Sequence, residues 1–366
     1  MGSATTTRLR SSWTVVVPAL ALVALVATWQ RTLPILAVAI VAIVVIAAVL
    51  VAVHHAEVVA HRVGEPYGSL VLAVAVTIIE VALIITIMAS GKSGTETLAR
   101  DTVFAAVMIT VNGVVGISIL LGAIKHDVPR FNAEGTGSAL AVVATLVTLT
   151  LVLPTFTVTT SGPRFSTPQL IFVAAASLVL YGLFVYLQTG RHRDFFLPVD
   201  AAGEAIDEQH ATPPTTRATM ISLVLLLVSL VAVVGLAKAV SPAIESGVVA
   251  AGIPNSFVGV VIALLVLLPE GLAASKAALR NRVQTSLNLG IGSAMASIGL
   301  TIPAIAVASI YLPGPLTLGL GPVQIVMLVL TFVVATLTVV PGRATRLEGA
   351  LHLVLLAAFV FLAINP

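Results

Sequence analysis

Two glutamates stand inside long apolar stretches of the sequence. Glu80 lies near the middle of AVAVTIIEVALIITIMA (73–89), where it is the single charged residue. Glu270 occupies a comparable position in SFVGVVIALLVLLPEGLAASKAAL (256–279), directly after Pro269. A charged side chain facing lipid at the centre of a bilayer costs roughly 2.5–3.5 kcal/mol. We therefore expect both carboxylates to face the protein interior or a water-filled cavity.

The oxygen atoms around Glu270 are suited to a hard cation. Pro269 has no backbone N–H, so it interrupts the helical hydrogen bonding and leaves a carbonyl oxygen near the carboxylate. Carboxylate and carbonyl oxygens are the ligands that Ca²⁺ and similar cations prefer. The alternative is that each glutamate is a protonated structural residue, hydrogen-bonded to a neighbouring helix.

The composition of the chain identifies an integral membrane protein. Of its 366 residues, 58% are hydrophobic and 9% are charged, whereas soluble domains carry about 25% charged residues. Cysteine is absent, which excludes disulfides and cysteine metal sites. No basic cluster alternates with aromatic residues, so nucleic acid is not an expected partner.

Eleven apolar stretches are long enough to cross a bilayer, and they predict an all-α polytopic membrane protein with eleven transmembrane helices. The predicted spans are 13–30, 34–53, 66–90, 102–124, 138–159, 168–188, 218–238, 254–275, 284–310, 321–340 and 347–364. The first could be read as a signal peptide, but the run is long and no cleavage site follows it. We interpret it as a retained helix.

A long polar stretch divides the sequence into two halves. The prediction is an extra N-terminal helix (1–32), a first five-helix repeat (33–188), a cytoplasmic acidic loop (189–216) and a second five-helix repeat (217–366). Because five is odd, the second half must enter the membrane from the opposite side, which predicts inverted repeats. A pseudo-two-fold axis in the membrane would then place Glu80 opposite Glu270.

The distribution of Lys and Arg predicts the orientation. With the N-terminus inside, thirteen of these residues fall in inner segments and five in outer segments. The positive-inside rule therefore predicts a cytoplasmic N-terminus and an external C-terminus. The expected location is a bacterial cytoplasmic membrane.

Two stretches resemble the signature repeats of cation/proton exchangers in the calcium/cation antiporter superfamily. They are HHAEVVAHRVGEPYGSLVLAVAVTIIEVALI in the first half and LLPEGLAASKAALRNRVQTSLNLGIGSAMASIGLTIP in the second. The resemblance implies an ion site with one acidic residue from each repeat, here Glu80 and Glu270.

The resemblance also implies supporting ligands on the next helix of each half. The polar residues there are Asn112 and Ser118 in the first half, and Asn288, Ser293 and Ser297 in the second. Asn112 and Ser293 lie nearest the positions the family uses. The alternative is that these small residues serve close helix packing.

One departure bears on the choice of ion. Many calcium/proton exchangers carry Gly-Asn shortly before the acidic residue, whereas this chain has VTIIE before and including Glu80, and VLLPE at Glu270. A site with fewer amide oxygens is easier to reconcile with Na⁺ or K⁺ as additional substrates.

A histidine-rich segment follows the second predicted span. His54, Glu57 and His61 share one helical face, and Glu65 lies just beyond them. We expect this group to provide a cytoplasmic entry for protons and cations, because histidine titrates near neutral pH. The alternatives are a solvated interfacial turn and a metal site. His352, in the last span, is interpreted as structural.

These observations predict a secondary antiporter that exports Ca²⁺, with Na⁺ or K⁺ as further substrates, in exchange for H⁺. Cation and protons would compete for Glu80 and Glu270, and no resident cofactor is expected. One alternative is an antiporter mainly for Na⁺(K⁺) and H⁺. An intramembrane enzyme is the other, but the Asp-rich motifs of a prenyltransferase and a serine–histidine pair are lacking.

Overall fold

The protein is almost entirely helical. The computed structural model describes residues 3–29, 31, 33–64, 67–91, 94–199 and 213–366. Within these ranges no β-strand forms, and the one isolated β-bridge joins Arg130 to Arg343. The all-α prediction is confirmed.

Eleven helices follow one another along the described chain. They are α1 (Ser3–Thr28), α2 (Ile35–Val63), α3 (Tyr67–Met88), α4 (Thr95–His126), α5 (Ala133–Phe156), α6 (Thr167–Arg191), α7 (Thr216–Ala250), α8 (Phe257–Leu279), α9 (Val283–Ala308), α10 (Pro322–Val339) and α11 (Arg346–Ile364). In the described part of the chain, ten of them are long and apolar enough to cross a membrane, and α1 contributes a shorter apolar helix, Trp13–Thr28. The predicted number and order of helices are confirmed.

Local residues explain where several helices begin and end. The Asn132 side chain accepts a hydrogen bond from the Gly135 amide at 2.9 Å and starts α5. Thr345 accepts one from the Leu347 amide at 3.2 Å and starts α11. Helix α2 continues ten residues past the predicted end at residue 53, because the histidine-rich segment is compatible with a helix. It stops at Gly64, whose φ of +74° favours glycine.

The helices form two compact units, each built from both halves of the sequence. The first unit comprises Met1–Ile87 and Ala211–Gly252, and the second comprises Met88–His210 and Ile253–Pro366. Each compact unit contains helices from both predicted repeats, so the units do not correspond to the repeats. The repeat boundaries stay a prediction.

In the first unit, α2 packs along α7, and α1 packs against both. Gly235 of α7 lies so close to Leu25 of α1 that an added Cβ would come within about 2.5–3.2 Å of its side-chain carbons. His55 of α2 forms hydrogen bonds with the other two of these helices. Its Nδ1 lies 3.2 Å from the Ser222 hydroxyl of α7, and its Nε2 lies 2.9 Å from the Thr14 carbonyl of α1.

Helix α4 is the centre of the second unit, where it packs against α8, α9 and α11. In its most apolar stretch 89% of the residues are buried, compared with 22% in α6 and α11. Between two α-helical segments, residues Ile109–Val114 form a π-helical turn. Such turns occur frequently at functional sites.

Candidate functional site

Glu80 is a buried residue of α3, in the first unit. Its exposed fraction is 3%, although it lies on an apolar helix that has no other charged residue. The prediction that its carboxylate faces away from lipid is consistent with this burial. Since Glu270 belongs to the second unit, the expected pairing of the two carboxylates stays a prediction.

Glu270 is buried on α8, with an exposed fraction of 8%. The helix runs unbroken through Pro269, so the missing N–H leaves the Leu265 carbonyl without its helical donor. An added Cβ on Gly271, the next residue, would lie 3.7 Å from Val114. Glu270 is therefore adjacent to the part of α8 that contacts the π-helical turn of α4.

Asn112 is a fully buried residue of that π-helical turn. Its amide nitrogen donates to the Thr331 hydroxyl of α10 at 2.9 Å. Its amide oxygen lies 3.2 Å from Nδ1 of His352, in α11. Asn112 therefore has partners on two helices that come late in the chain.

His352 is also fully buried. Its Nε2 lies 3.2 Å from the Thr338 hydroxyl of α10, so both ring nitrogens have partners. Sequence reasoning interpreted His352 as structural and did not connect it with Asn112. The available signal was a single histidine directly before a long apolar run, residues 353–364.

Ser118 lies at a junction of three helices in the second unit. Its hydroxyl donates to the Val114 carbonyl at 2.6 Å and lies 2.5 Å from the Ser286 hydroxyl of α9. Ser286 in turn lies 2.7 Å from the Ala274 carbonyl of α8. Sequence reasoning missed Ser286, although it stands two residues before Asn288.

Asn288 contacts the predicted acidic loop (189–216) near its start. Its amide nitrogen donates to the Phe196 carbonyl at 2.6 Å, and its oxygen accepts from the Gln284 side chain at 2.8 Å. Gln284 also accepts from the Asn132 backbone amide at 2.6 Å. Asn288 thus joins α9 to the 3₁₀ turn Arg193–Phe196.

The other two predicted ligands also lie on α9. Ser297 is buried, with 4% of its surface exposed, and Ser293 is partly exposed. The two residues are four apart, so they lie on the same face of the helix. The structure therefore leaves Ser293 more accessible than Ser297.

The predicted entry group is exposed on α2. His54, Glu57 and His61 all have exposed side chains, whereas the neighbouring His55 is buried. Glu65 lies outside the described residues. Among the residues that the structure describes, no group of three or more His, Asp or Glu side chains is arranged to hold a metal ion.

A buried ion pair at the start of α4 was not predicted. Asp101 is 4% exposed, and its Oδ1 lies 2.7 Å from the Arg100 guanidinium. The Thr97 hydroxyl donates to its Oδ2 at 2.8 Å, and Arg100 also donates to the Gly319 carbonyl at 3.2 Å. This pair lies beside an open depression of about 610 Å³, which Thr155 and other hydroxyl-bearing residues also line.

The second unit therefore brings together several predicted residues. Asn112 and Ser118 lie on α4, which packs against the helix of Glu270 and against the helix of Asn288, Ser293 and Ser297. Glu80 and the exposed α2 group belong to the first unit.

The chain is similar to known membrane transporters over most of its length. The chain matches the sodium/calcium exchanger protein family over residues 32–190 and 221–365. It is 36% identical to the sodium-potassium/proton antiporter ChaA of Escherichia coli over 347 residues, which cover 94% of this chain and 93% of ChaA. It is 48% identical over 323 residues to y4hA of Sinorhizobium fredii, named in general terms as an ionic transporter. That match covers 87% of this chain and 86% of y4hA.

A solved structure shares the fold. The crystal structure of the H⁺/Ca²⁺ exchanger CAX superposes with a TM-score of 0.73 at 16% identity, covering 98% of this chain and 89% of CAX. The matched relatives carry the names of transporters and not of enzymes. The resemblance seen in the two signature stretches is confirmed, and the chain belongs to the sodium/calcium exchanger protein family, as a multi-pass membrane antiporter of cations.

Proposed function

We propose that the chain exports Ca²⁺, and also Na⁺ or K⁺, from the cytoplasm in exchange for H⁺, and that Glu80 and Glu270 bind both the cation and the protons. The observation that carries this proposal is their burial, at 3% and 8% exposure, on apolar membrane-spanning helices. A buried carboxylate without a counter-charge is costly. Either a proton or a bound cation can neutralise the carboxylate charge, and this choice is the basis of exchange.

Competition for these carboxylates couples the two fluxes. Each carboxyl is neutral when it carries a proton, and its charge is compensated when it contributes to binding a cation. An ionised carboxylate with neither is the costly state, so the transporter rarely changes its opening when empty. Alternating access then moves cations one way and protons the other. The exchange uses no resident cofactor, since the cation is the cargo.

Residues of the second unit supply further oxygens in this proposal. The Asn112 amide oxygen has two lone pairs and shares one with His352, so the other can face a cation. Ser293 is partly exposed on α9 and is the second main supporting ligand. Ser118, Asn288 and Ser297 are proposed to complete the polar lining.

The exposed group on α2 serves as the entry in this proposal. His54, Glu57 and His61 lie on one accessible face, where they attract cations and exchange protons with water. With the N-terminus in the cytoplasm of a bacterial cell, this face lies at the cytoplasmic side of the inner membrane. Glu65 is proposed to extend the same group.

A second candidate is an antiporter mainly for Na⁺(K⁺) and H⁺. Two observations favour it: the 36% identity with ChaA, whose name specifies sodium, potassium and protons, and the apolar residues Ile79 and Leu268 close before the two glutamates. Amide oxygens at such positions would add ligands for Ca²⁺.

The experiment is cation-driven proton movement in inverted membrane vesicles, with Ca²⁺, Na⁺ and K⁺ added in turn. Glu80→Gln and Glu270→Gln are each expected to abolish the response, because the amide cannot exchange a proton. Glu134→Gln is the matched control, since Glu134 is exposed at the start of α5. Normal exchange by either buried variant would remove that glutamate from the mechanism. The relative responses to the three cations decide between the two candidates.

A further inference from the structure

His352 belongs to a chain of hydrogen bonds that runs through the interior of the second unit. The chain joins α10, α11 and the π-helical turn of α4, and His352 and Asn112 are both fully buried in it. Buried polar groups without partners are rare, so the direction of each bond can be assigned from its neighbours.

The Asn112 end sets the direction. Its amide nitrogen donates to Thr331, whose own hydroxyl points to the Met108 sulfur at 3.6 Å. With this orientation of the amide, the Asn112 oxygen faces His352, and the hydrogen is assigned to Nδ1 of the ring. In the neutral ring Nε2 is then the acceptor, and it accepts a hydrogen bond from the Thr338 hydroxyl at 3.2 Å.

Close helix packing keeps this arrangement in place. An added Cβ on Gly116 of α4 would lie 2.9 Å from the His352 Cβ. The backbones of α4 and α11 therefore approach closely beside the histidine. Another part of the π-helical turn, at Val114, contacts α8 next to Glu270.

We propose that His352 is a positioning residue for cation binding: its Nδ1–H fixes the Asn112 amide so that the oxygen is available to the cation. Without this bond the amide can rotate and present its NH₂ group, which repels a cation. The inference rests on the proposed function, because it assigns Asn112 to the cation. It adds a role for a histidine that sequence reasoning interpreted as structural.

Three substitutions of His352 test the roles of its two ring nitrogens separately. Asn at position 352 places an amide nitrogen near the location of Nδ1, Gln places one near that of Nε2, and Leu removes both. His352→Asn is expected to keep an apparent KM for Ca²⁺ and for Na⁺ near the wild-type value. His352→Gln and His352→Leu are expected to raise it about fivefold to tenfold, the equivalent of one neutral hydrogen bond.

Thr338→Val is the matched control. It removes the partner of Nε2 and leaves the bond to Asn112, so the apparent KM should stay at the wild-type value. A purely structural role would instead lower the maximal rate and the amount of folded protein in all these variants while KM stays unchanged. That result, or an equal rise of KM in His352→Asn and His352→Leu, would overturn the proposal. If His352→Leu does not fold, the comparison of Asn with Gln gives the same answer.

A double substitution tests whether His352 acts through Asn112. In an Asn112→Ala background, His352→Gln should raise the apparent KM no further, because the positioned group is gone. A further rise of the same size as in the wild-type background contradicts the mechanism. The glutamate variants provide the separate test of the proposed function, so the two failures are distinguishable.

The ring itself can be observed without transport. In protein labelled with ¹⁵N-histidine, the signal lost in His352→Gln should show a protonated Nδ1 and an unprotonated Nε2. The opposite tautomer would place the hydrogen on the Thr338 side and refute the assigned direction, whatever the transport measurements give.

Discussion

Gly349→Ala is expected to push α11 away from α4 and disturb the bond between His352 and Asn112. An added Cβ at Gly349 would lie 2.7 Å from the Leu120 backbone nitrogen and 2.9 Å from its Cα. Because both neighbours are backbone atoms, a rotamer change cannot relieve the contact. The helices must separate by about 0.7 Å for this Cβ to reach the 3.4 Å at which ordinary contact begins.

This displacement is large compared with the tolerance of a hydrogen bond. His352 lies one turn after Gly349, and its Nδ1 is 3.2 Å from the Asn112 oxygen. A shift of about 0.7 Å would lengthen that distance to about 3.9 Å, beyond the range of a hydrogen bond. Overpacking of this kind costs roughly 1–3 kcal/mol of stability. The apparent KM for cations should rise as in His352→Gln.

The assay combines the apparent unfolding temperature in detergent with cation-driven proton movement in vesicles. Gly292→Ala in α9 is the matched control, since an added Cβ there meets nothing within 4 Å. Alanine at Gly292 should leave stability unchanged or raise it, because glycine is a poor helix former. If the Gly349→Ala variant had the unfolding temperature and the apparent KM of the wild type, the reasoning would be refuted.

Three further predictions concern an ion pair, a loop contact and the orientation in the membrane. Asp101→Asn should lower the apparent unfolding temperature, because breaking a buried ion pair leaves the Arg100 charge uncompensated, at a cost of about 3–5 kcal/mol. Asn288→Leu should detach the turn that ends at Phe196 and increase amide hydrogen exchange there, since the 2.6 Å bond between them is lost. The chain has no native cysteine, so Thr215→Cys should react with a membrane-impermeant maleimide in inverted vesicles and not in intact cells.

Each of these has a control or a contrary outcome. Arg100→Met combined with Asp101→Asn should recover stability relative to the single Asp101 variant, and no recovery would contradict the ion-pair argument. Asn365→Leu, at the C-terminal end, should leave exchange at the Phe196 turn unchanged. Labelling of Thr215→Cys in intact cells would reverse the orientation that the Lys and Arg distribution predicts.

The positions of the helices and of the two glutamates could be found without coordinates. Apolar runs long enough to span a bilayer have few alternatives to a helix, because every backbone polar group must be satisfied internally. Glu80 and Glu270 stand out since a charge in such a run is costly, and their burial agrees with that cost. The end of α2 was predicted too early, because His and Glu ended the apolar run but did not end the helix.

The partners of these residues depend on the tertiary structure. Asn112 and His352 are 240 positions apart, and neither the composition nor the period of their helices specifies which residues face each other. The sequence also suggested two consecutive halves, whereas the compact units take helices from both, because helix packing depends on shape and not on chain order. By itself the sequence determined which segments enter the membrane and which carboxylates they carry. Close contacts at glycines such as Gly116 and Gly349 decided that buried polar groups of α4 and α11 meet, since the backbones of these two helices approach closely there.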